Sequence, residues 1–353
     1  MHMKTRLLTL AFVMAVLFTS SCRQQDRYVM FSGYAQGGTW AVKANLKGVD
    51  VHEREIQHAI DSILLQIDNS LSGYNKGSLL SVFNSGREIS PDTLFLDIYD
   101  RASEIYDMTE GCIDPASAPL FDIWGFGFKS GEMPSDETVA KTRVGCGMNR
   151  LRRDIRSALS SDGALVPEAL LLPRSGPELP QLNYNAVAQG YSCDLVASYL
   201  YSIGVKDMMV DIGEIFCDGV NPSGVQWTIG IDSPVDGNNK PGENLQAIFK
   251  VPSGPHGVVT SGNYRKFYVR QGRKYAHTVD PRTGYPVSHS LLSATILASD
   301  ATMADAYATY CMVIGLEESK DFLSSRPDLE GCLIYDEDGE FRIWTSAGFS
   351  IEK

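Results

Sequence analysis

Residues 293–315 read Ser-Ala-Thr-Ile-Leu-Ala-Ser-Asp-Ala-Thr-Met-Ala-Asp-Ala-Tyr-Ala-Thr-Tyr-Cys-Met-Val-Ile-Gly. This stretch holds a strand, a cap, a helix and a stop in succession. Ser293 to Ala298 is a short, mostly apolar run, and Asp300 is placed to cap the helix that follows. Met303, Ala306, Tyr310 and Val313 recur at helical spacing as its inward face, and Gly315 supplies a residue tolerant of the left-handed conformation at the helix end. Upstream, strand candidates follow one another at Met208 to Ile212, Trp227 to Ile231, Leu245 to Val251, Gly257 to Thr260 and Lys266 to Arg270. Downstream, Cys332 to Tyr335 and Phe341 to Trp344 form a hairpin that turns through Asp336, Glu337, Asp338 and Gly339.

The N-terminal half adds β-like runs at Tyr28 to Gly33 and Thr39 to Leu46. A helix follows, capped by Asp50, with Ile56, Ile60, Ile63, Leu64 and Ile67 on one side. Ser90 and Pro91 read as the entry to a second helix running through Leu94, Ile98, Ala102 and Ile105 to a stop at Gly111. A third spans Ala188 to Ile203 and closes at Gly204. Residues 128–181 are rich in Gly, Pro and Ser, with short strands expected near Leu151 and from Ala164 to Leu172. Strands and helices mix without strict βαβ alternation, so the fold class is α+β rather than a doubly wound parallel sheet.

The chain has 353 residues, of which 43% are hydrophobic and 21% charged, so disorder and fibrous classes are excluded. With 43 acidic against 31 basic residues, the net charge of −12 argues against nucleic-acid binding. Backbone amides or a metal ion still allow a phosphate-bearing small molecule to be held. Residues 1–22 read as an export signal. Lys4 and Arg6 precede the apolar run Leu7 to Phe18, and Thr19, Ser20 and Ser21 lead to Cys22. The apolar run is too short to span a bilayer. Small residues directly before Cys22 resemble a bacterial lipobox. The expectation is therefore a lipidated Cys22 at the mature N-terminus and a body, residues 23–353, tethered to a membrane on its periplasmic side, with plain secretion as the alternative. The other six cysteines form no CxxC pair and read as free thiols.

Five segments carry chemistry. His277-Thr-Val-Asp-Pro-Arg-Thr-Gly284 places Pro281 and Gly284 so that His277, Asp280, Arg282 and Thr283 sit on a stiff turn. There His277 can serve as acid, base or positioning group, or simply as a capped turn residue. Asp305 and Thr309 lie one helical turn apart, on one face. That is either a solvated face or a sparse oxygen site of the kind Mg²⁺ accepts. Asn183-Tyr-Asn-Ala-Val-Ala-Gln-Gly-Tyr-Ser-Cys-Asp194 approaches a helix start, where Gly190 lets backbone come close to a ligand. Trp124-Gly-Phe-Gly127 offers aromatic surface, as pocket wall or as core corner. Thr260-Ser-Gly262 adds hydroxyls after a strand.

Taken in order, these segments resemble the bacterial FAD:protein FMN transferases, the ApbE family. The resemblance also includes Gly38-Thr39-Trp40, Leu71-Ser-Gly-Tyr-Asn75 with Ser78 and Phe83-Asn84, Gly111-Cys-Ile-Asp-Pro115 with Pro119-Leu120, and Val210-Asp-Ile-Gly213. It implies a mixed α+β architecture with largely antiparallel sheets. It also implies Mg²⁺-dependent cleavage of FAD, with FMN passed through a phosphoester to a Thr or Ser hydroxyl of a partner protein and AMP released. By the same resemblance Asp305, Thr309 and the carbonyl of Ala188 hold the metal. Trp40, Tyr74, Trp124, Gly125, Phe126, Asn185, Tyr191 and Val279 contact FAD, and His277 assists transfer. The implied acceptor is a membrane-associated redox flavoprotein subunit. The chain departs from the family pattern at Asn185-Ala186, where a Gly pair is frequent, at Gln189, where Lys is, at Glu214 and at Asn263. Alternatives on the same residues are an FAD pyrophosphatase and a flavin-binding lipoprotein without catalysis. A generic hydrolase built on His277 and Asp280 lacks a nucleophile motif such as GxSxG.

Overall fold

In β1 (Tyr28–Ala35) and β2 (Gly38–Asn45), side chains on alternate residues reach opposite faces, and the two pair antiparallel from Tyr28↔Asn45 to Ala35↔Gly38. The turn between them places Gln36 and Gly37 at positive φ, the geometry a tight hairpin needs. The structure is a computed structural model and describes residues 26–87, 89–128, 133–151, 158–159, 165–166, 179–236, 238, 240, 242–264, 267–270 and 273–352. The signal and Cys22 therefore lie outside the described residues, as does most of the segment from Ala164 to Leu172.

Next come α1 (Glu53–Leu71), α2 (Leu79–Asn84), α3 (Thr93–Met108), α4 (Ala118–Ile123) and α5 (Asp136–Val144). The pair β3 (Ala158–Leu159) and β4 (Leu165–Val166) precedes α6 (Ala188–Ser202). Strands then dominate: β5 (Met208–Asp211), β6 (Ile215–Asp218), β7 (Thr228–Asp232), β8 (Leu245–Lys250), β9 (His256–Gly262), β10 (Phe267–Arg270) and β11 (Arg273–Ala276). The chain continues through β12 (Val279–Asp280), β13 (Tyr285–Pro286), β14 (Leu291–Ala298), α7 (Ala301–Ile314) and α8 (Leu316–Ser325). It ends in β15 (Glu330–Glu337), β16 (Glu340–Thr345) and β17 (Ile351–Glu352).

Eight strands form one antiparallel sheet in the order β1-β2-β5-β6-β9-β14-β15-β16. Successive residues of its central strands enter different cores: Ile296 of β14 joins Val259 and Leu333 under α7, while Leu297 joins Val258 and Ile334 on the other face. Helices α1, α6, α7 and α8 cover the first face. The small sheet β17-β8-β7 covers the second with Trp227, Ile231, Phe249 and Phe349. Burial on both faces explains why β14 reads as a nearly unbroken apolar run rather than an alternating one.

The α+β expectation holds, with small shifts at element ends. His52, not Asp50, caps α1, its Nδ1 accepting from the Arg54 N–H. Asp92 rather than Ser90 caps α3, because its carboxylate accepts both the Phe95 N–H and the Ser70 hydroxyl at 2.8 Å. Leu151 closes a 3-10 turn, Met148–Arg150, instead of starting a strand. Met303 and Tyr310 are only half-buried on α7, whose deepest residues are Ala301, Thr302, Ala304, Ala306, Ala308 and Cys311. All six described cysteines are free.

Asp114 ties the segment before α4 to that 3-10 turn, accepting from the backbone N–H of Ala116 at 2.9 Å and of Met148 at 3.1 Å. Burial pushes its carboxyl from 3.8 up to about 6. The folded protein thus holds this proton more tightly than the unfolded chain. Ionisation therefore costs nothing below about pH 4, costs progressively more up to about pH 6, and costs its full amount above that. Asp114→Asn keeps an acceptor for both N–H groups. It is expected to raise stability at pH 8 by about 3 kcal/mol and to change little at about pH 4, as read from urea unfolding at both values.

Candidate functional site

The first turns of α6 and α7 meet at Gly190. A Cβ there would stand 2.2 Å from the carbonyl oxygen of Ala301 and 2.9 Å from the nitrogen of Thr302, so only glycine permits this approach. Asp305, one turn into α7 and 4% exposed, directs Oδ2 back to the Gly190 N–H at 3.2 Å. Thr309, one turn further along α7, has its hydroxyl 3.2 Å from that of Ser261 at the end of β9. The carbonyl of Ala188 accepts the Ser192 hydroxyl at 2.7 Å, and Ser192 Oγ in turn accepts from Gln36 on the β1–β2 turn. The fold thus brings together the start of α6, with Ala188 and Gly190, and the α7 face bearing Asp305 and Thr309. Gly190→Ala is expected to force the two helices apart. A loss of about 3 kcal/mol follows from overpacking against backbone that cannot yield, measured as a fall in denaturation midpoint.

Burial pushes the Asp305 carboxyl upward, and the negative charge of Asp194 adds to that, while the Gly190 N–H works in the opposite direction. A buried carboxylate under this pressure is stabilised when a cation sits beside it. Among the described residues no group of three or more His, Cys, Asp or Glu side chains stands ready to hold a metal. The donors here are instead one carboxylate, two hydroxyls and a main-chain carbonyl. An all-oxygen set with so few protein ligands fits a hard cation that keeps waters or phosphate oxygens in its shell, as Mg²⁺ does.

The 277–284 segment is a hairpin turn between β12 and β13. Asp280 organises it. Its carbonyl accepts the Gly284 N–H at 2.7 Å, and its Oδ1 accepts the Arg282 N–H at 2.9 Å. Both carboxylate oxygens also take guanidinium N–H groups of Arg282 at 3.1 Å. Asp280 is therefore committed to the turn through Arg282 and Gly284. His277 is half-buried. Its neighbour Thr278 donates to Asn263 Oδ1 at 3.1 Å, and Asn263 lies two residues past Ser261. This bond fastens the histidine segment to the strand end that touches Thr309.

Trp124 is 4% exposed and donates its indole N–H to the Gly284 carbonyl at 2.8 Å, so the aromatic corner and the histidine turn form one unit. Val279 packs with Trp124, Leu120 and Val139. Phe126 stacks on Tyr268 at 5.1 Å, Tyr268 on Tyr275 at 5.3 Å, and Tyr275 on Trp124 at 6.0 Å. Gly125 takes φ 77°, which turns the chain between the two rings. Tyr74, 64% exposed, meets Phe128 edge-on at 5.2 Å and so joins the same corner.

The other expected flavin contacts lie on β2, on α6 and on the loop before α6. Trp40 is 2% exposed and packs in the core beneath β1, where Gly33 leaves room for its indole. Tyr191 is likewise 2% exposed, with the Arg101 guanidinium 5.7 Å over its ring, and burial together with a hydrogen bond to Asp97 raises its phenol pKa. Asn185 is exposed on the loop before α6, its N–H donating to Asn183 Oδ1. Gln189 bonds the carbonyl of Ile212 at 3.3 Å and lies over Gly213, tying α6 to the β5–β6 turn. Five residues around the site had no role from the sequence: Gln36 and Ser192 behind the Ala188 carbonyl, Tyr268 and Tyr275 in the aromatic stack, and Asp194 at the helix crossing. Only Asp194 carried a signal, as a carboxylate one turn after Gly190.

The chain matches the ApbE family over residues 37–333. It is 30% identical over 342 residues to an FAD:protein FMN transferase of Vibrio cholerae, covering 95% of this chain and 96% of that protein. To the FAD:protein FMN transferase of Escherichia coli it is 29% identical over 354 residues, covering 96% and 95%. Among solved structures it resembles the flavin transferase ApbE from Vibrio cholerae at a TM-score of 0.73, with 30% identity over 92% of this chain and 98% of that one. The apo form of Pseudomonas stutzeri flavinyl transferase ApbE gives a TM-score of 0.74, with 28% identity over 92% and 96%.

Proposed function

The chain belongs to the ApbE family, and from that premise we propose that it is an FAD:protein FMN transferase that moves FMN from FAD to a Thr or Ser hydroxyl of a target flavoprotein. The observation that carries the proposal is the meeting of Asp305 and Thr309 on α7 with the Gly190 N–H and Ala188 at the start of α6, beside the unit that joins Trp124 to the His277 turn. The reaction forms a bond from the acceptor oxygen to the phosphorus of the FMN half. The phosphoanhydride bond to the AMP half breaks, and AMP departs with the electron pair.

The acceptor hydroxyl must lose its proton as that bond forms. His277 would receive it, and the pinning of its segment by the Thr278–Asn263 bond and the Asp280–Arg282 turn supports that reading. The aromatic corner of Trp124 and Phe126, with Tyr74 at its edge, offers flat apolar surface for the flavin ring. Asp305, Thr309 and Ala188 would hold Mg²⁺, which supplies positive charge to the pyrophosphate oxygens and to the leaving AMP. An acidic protein can in this way handle a polyanionic substrate.

The export signal and Cys22 support a lipid-anchored chain facing the periplasm, and so an acceptor that is a membrane-associated redox subunit. No helix among the described residues is long and apolar enough to cross a membrane. The test is incubation with FAD, Mg²⁺ and an exported flavoprotein, followed by intact mass. The acceptor should gain one FMN, with none gained in EDTA. AMP without a modified acceptor would instead make the chain an FAD pyrophosphatase, and FAD retention without AMP a flavin carrier.

A further inference from the structure

We infer that Asp194 is a positioning residue for the cation site: without reaching the ion, it holds the first turn of α7 against the first turn of α6 and so sets where Asp305 stands relative to Ala188. The inference rests on the proposed function only through the existence of that site. Asp194 lies one turn after Gly190 on α6, hence on the same face. Its Oδ1 accepts the Ala301 N–H at 2.8 Å, and its Oδ2 accepts the Thr302 N–H at 2.9 Å and the Thr302 hydroxyl at 2.5 Å.

These bonds are not what lets α7 begin. The helix already has its own cap, since Asp300 Oδ1 accepts the Met303 N–H at 2.9 Å and the Asp300 carbonyl accepts the Ala304 N–H at 3.2 Å. What Asp194 adds is location. Asp305 returns the interaction from the other side, its Oδ2 accepting the Gly190 N–H in the first turn of α6. Each helix thus lends a carboxylate to the start of its neighbour, and the contact at Gly190 between them closes the arrangement.

This geometry carries an electrostatic cost. Asp194 is itself mostly enclosed and faces the like charges of Asp305 and Asp300, with burial raising its pKa against the pull of the Thr302 and Ala301 donors. A neutral Asn or Ser would cap α7 without that repulsion. A second carboxylate at the crossing makes sense where a cation is to sit beside the first one, oriented by groups behind it.

The experiment is Mg²⁺ titration of the full chain by calorimetry, alongside the thermal midpoint without metal and the separation of the Mg²⁺ activation constant from kcat. Asp194→Asn keeps the side-chain shape but replaces one acceptor oxygen with a donor that faces another donor. Its Mg²⁺ dissociation constant is expected to rise at least about tenfold, with kcat at saturating Mg²⁺ within about threefold of the unaltered protein. Thr302→Val, which removes only the hydroxyl bond, is expected to shift the same constant in the same direction by less, and it serves if the first variant does not fold. A lowered thermal midpoint with an unchanged Mg²⁺ constant in both variants would overturn the inference. Asp305→Asn separates the two levels of argument. If it binds Mg²⁺ as the unaltered protein does, the cation site is misplaced, and the site reading fails with the positioning role.

Discussion

Asp305→Asn is expected to lower FMN transfer by at least about a thousandfold while leaving the protein folded and its thermal midpoint unchanged or raised. The size follows from the charge arithmetic of the step. Cleaving a phosphoanhydride concentrates negative charge on the departing AMP, and a metal ion stabilises such charge by several kcal/mol, of which about 4 kcal/mol corresponds to that factor. The fold survives because Asn retains an oxygen for the Gly190 N–H, the only hydrogen bond found for the Asp305 carboxylate among the described residues. Stability gains because burial and the Asp194 charge both oppose ionisation of Asp305. Initial rates with intact-mass detection, set beside thermal melts, make the check. A variant that transfers FMN at near-normal rate would show that the cation, if present, is held elsewhere.

Much of this site was legible in the sequence because its parts are local. Asp300, Asp305, Thr309 and Gly315 fall on a single strand–helix unit whose cap, face and stop can be read from spacing alone, and α7 begins and ends where those signals put it. The turn at 277–284 was equally local, since Asp280 and Gly284 fix it through bonds within eight residues. What stayed hidden is contact between segments far apart in the chain. Nothing in the spacing reveals that Gln36 reaches Ser192 across 156 residues, or that Asp194 accepts the first N–H of a helix that starts 107 residues later.

The aromatic stack was hidden for the same reason: Phe126 meets Tyr268 only because a hairpin after β9 returns over the Trp124 loop. Periodicity misjudged α7 in one respect. Met303 and Tyr310 looked like core residues because they are large, yet its small residues Ala301, Ala304 and Ala308 lie deepest, where α7 crosses β9, β14 and α6 at close range. Tyr191 and Trp40 show the converse. The resemblance made them flavin contacts, Trp40 through its backbone, and the spacing did not reveal that the fold packs their rings against Arg101, Gly33 and the core.

His277→Ala is expected to reduce FMN transfer to protein by about a hundredfold to ten-thousandfold, the usual worth of a placed proton acceptor, while FAD and Mg²⁺ still bind. The two effects separate because the imidazole belongs to a different element from the proposed cation donors. It follows β11 and precedes the turn, whereas Asp305, Thr309 and Ala188 sit on α7 and α6. Two roles predict different pH behaviour. A proton acceptor is useless once protonated, so in the unaltered protein the rate should fall as pH drops through the range where an imidazole gains its proton. The Ala variant should lose that acid limb and recover part of its rate with added imidazole. A histidine that only shapes the pocket would leave the limb in place and gain nothing from imidazole. The acceptor decides a further point. If AMP release into water persists in the variant while protein modification vanishes, His277 acts on the acceptor hydroxyl rather than on the pyrophosphate. That division of labour is the one the proposed function expects, with charge handled at the α6–α7 crossing and the proton handled at the pinned turn.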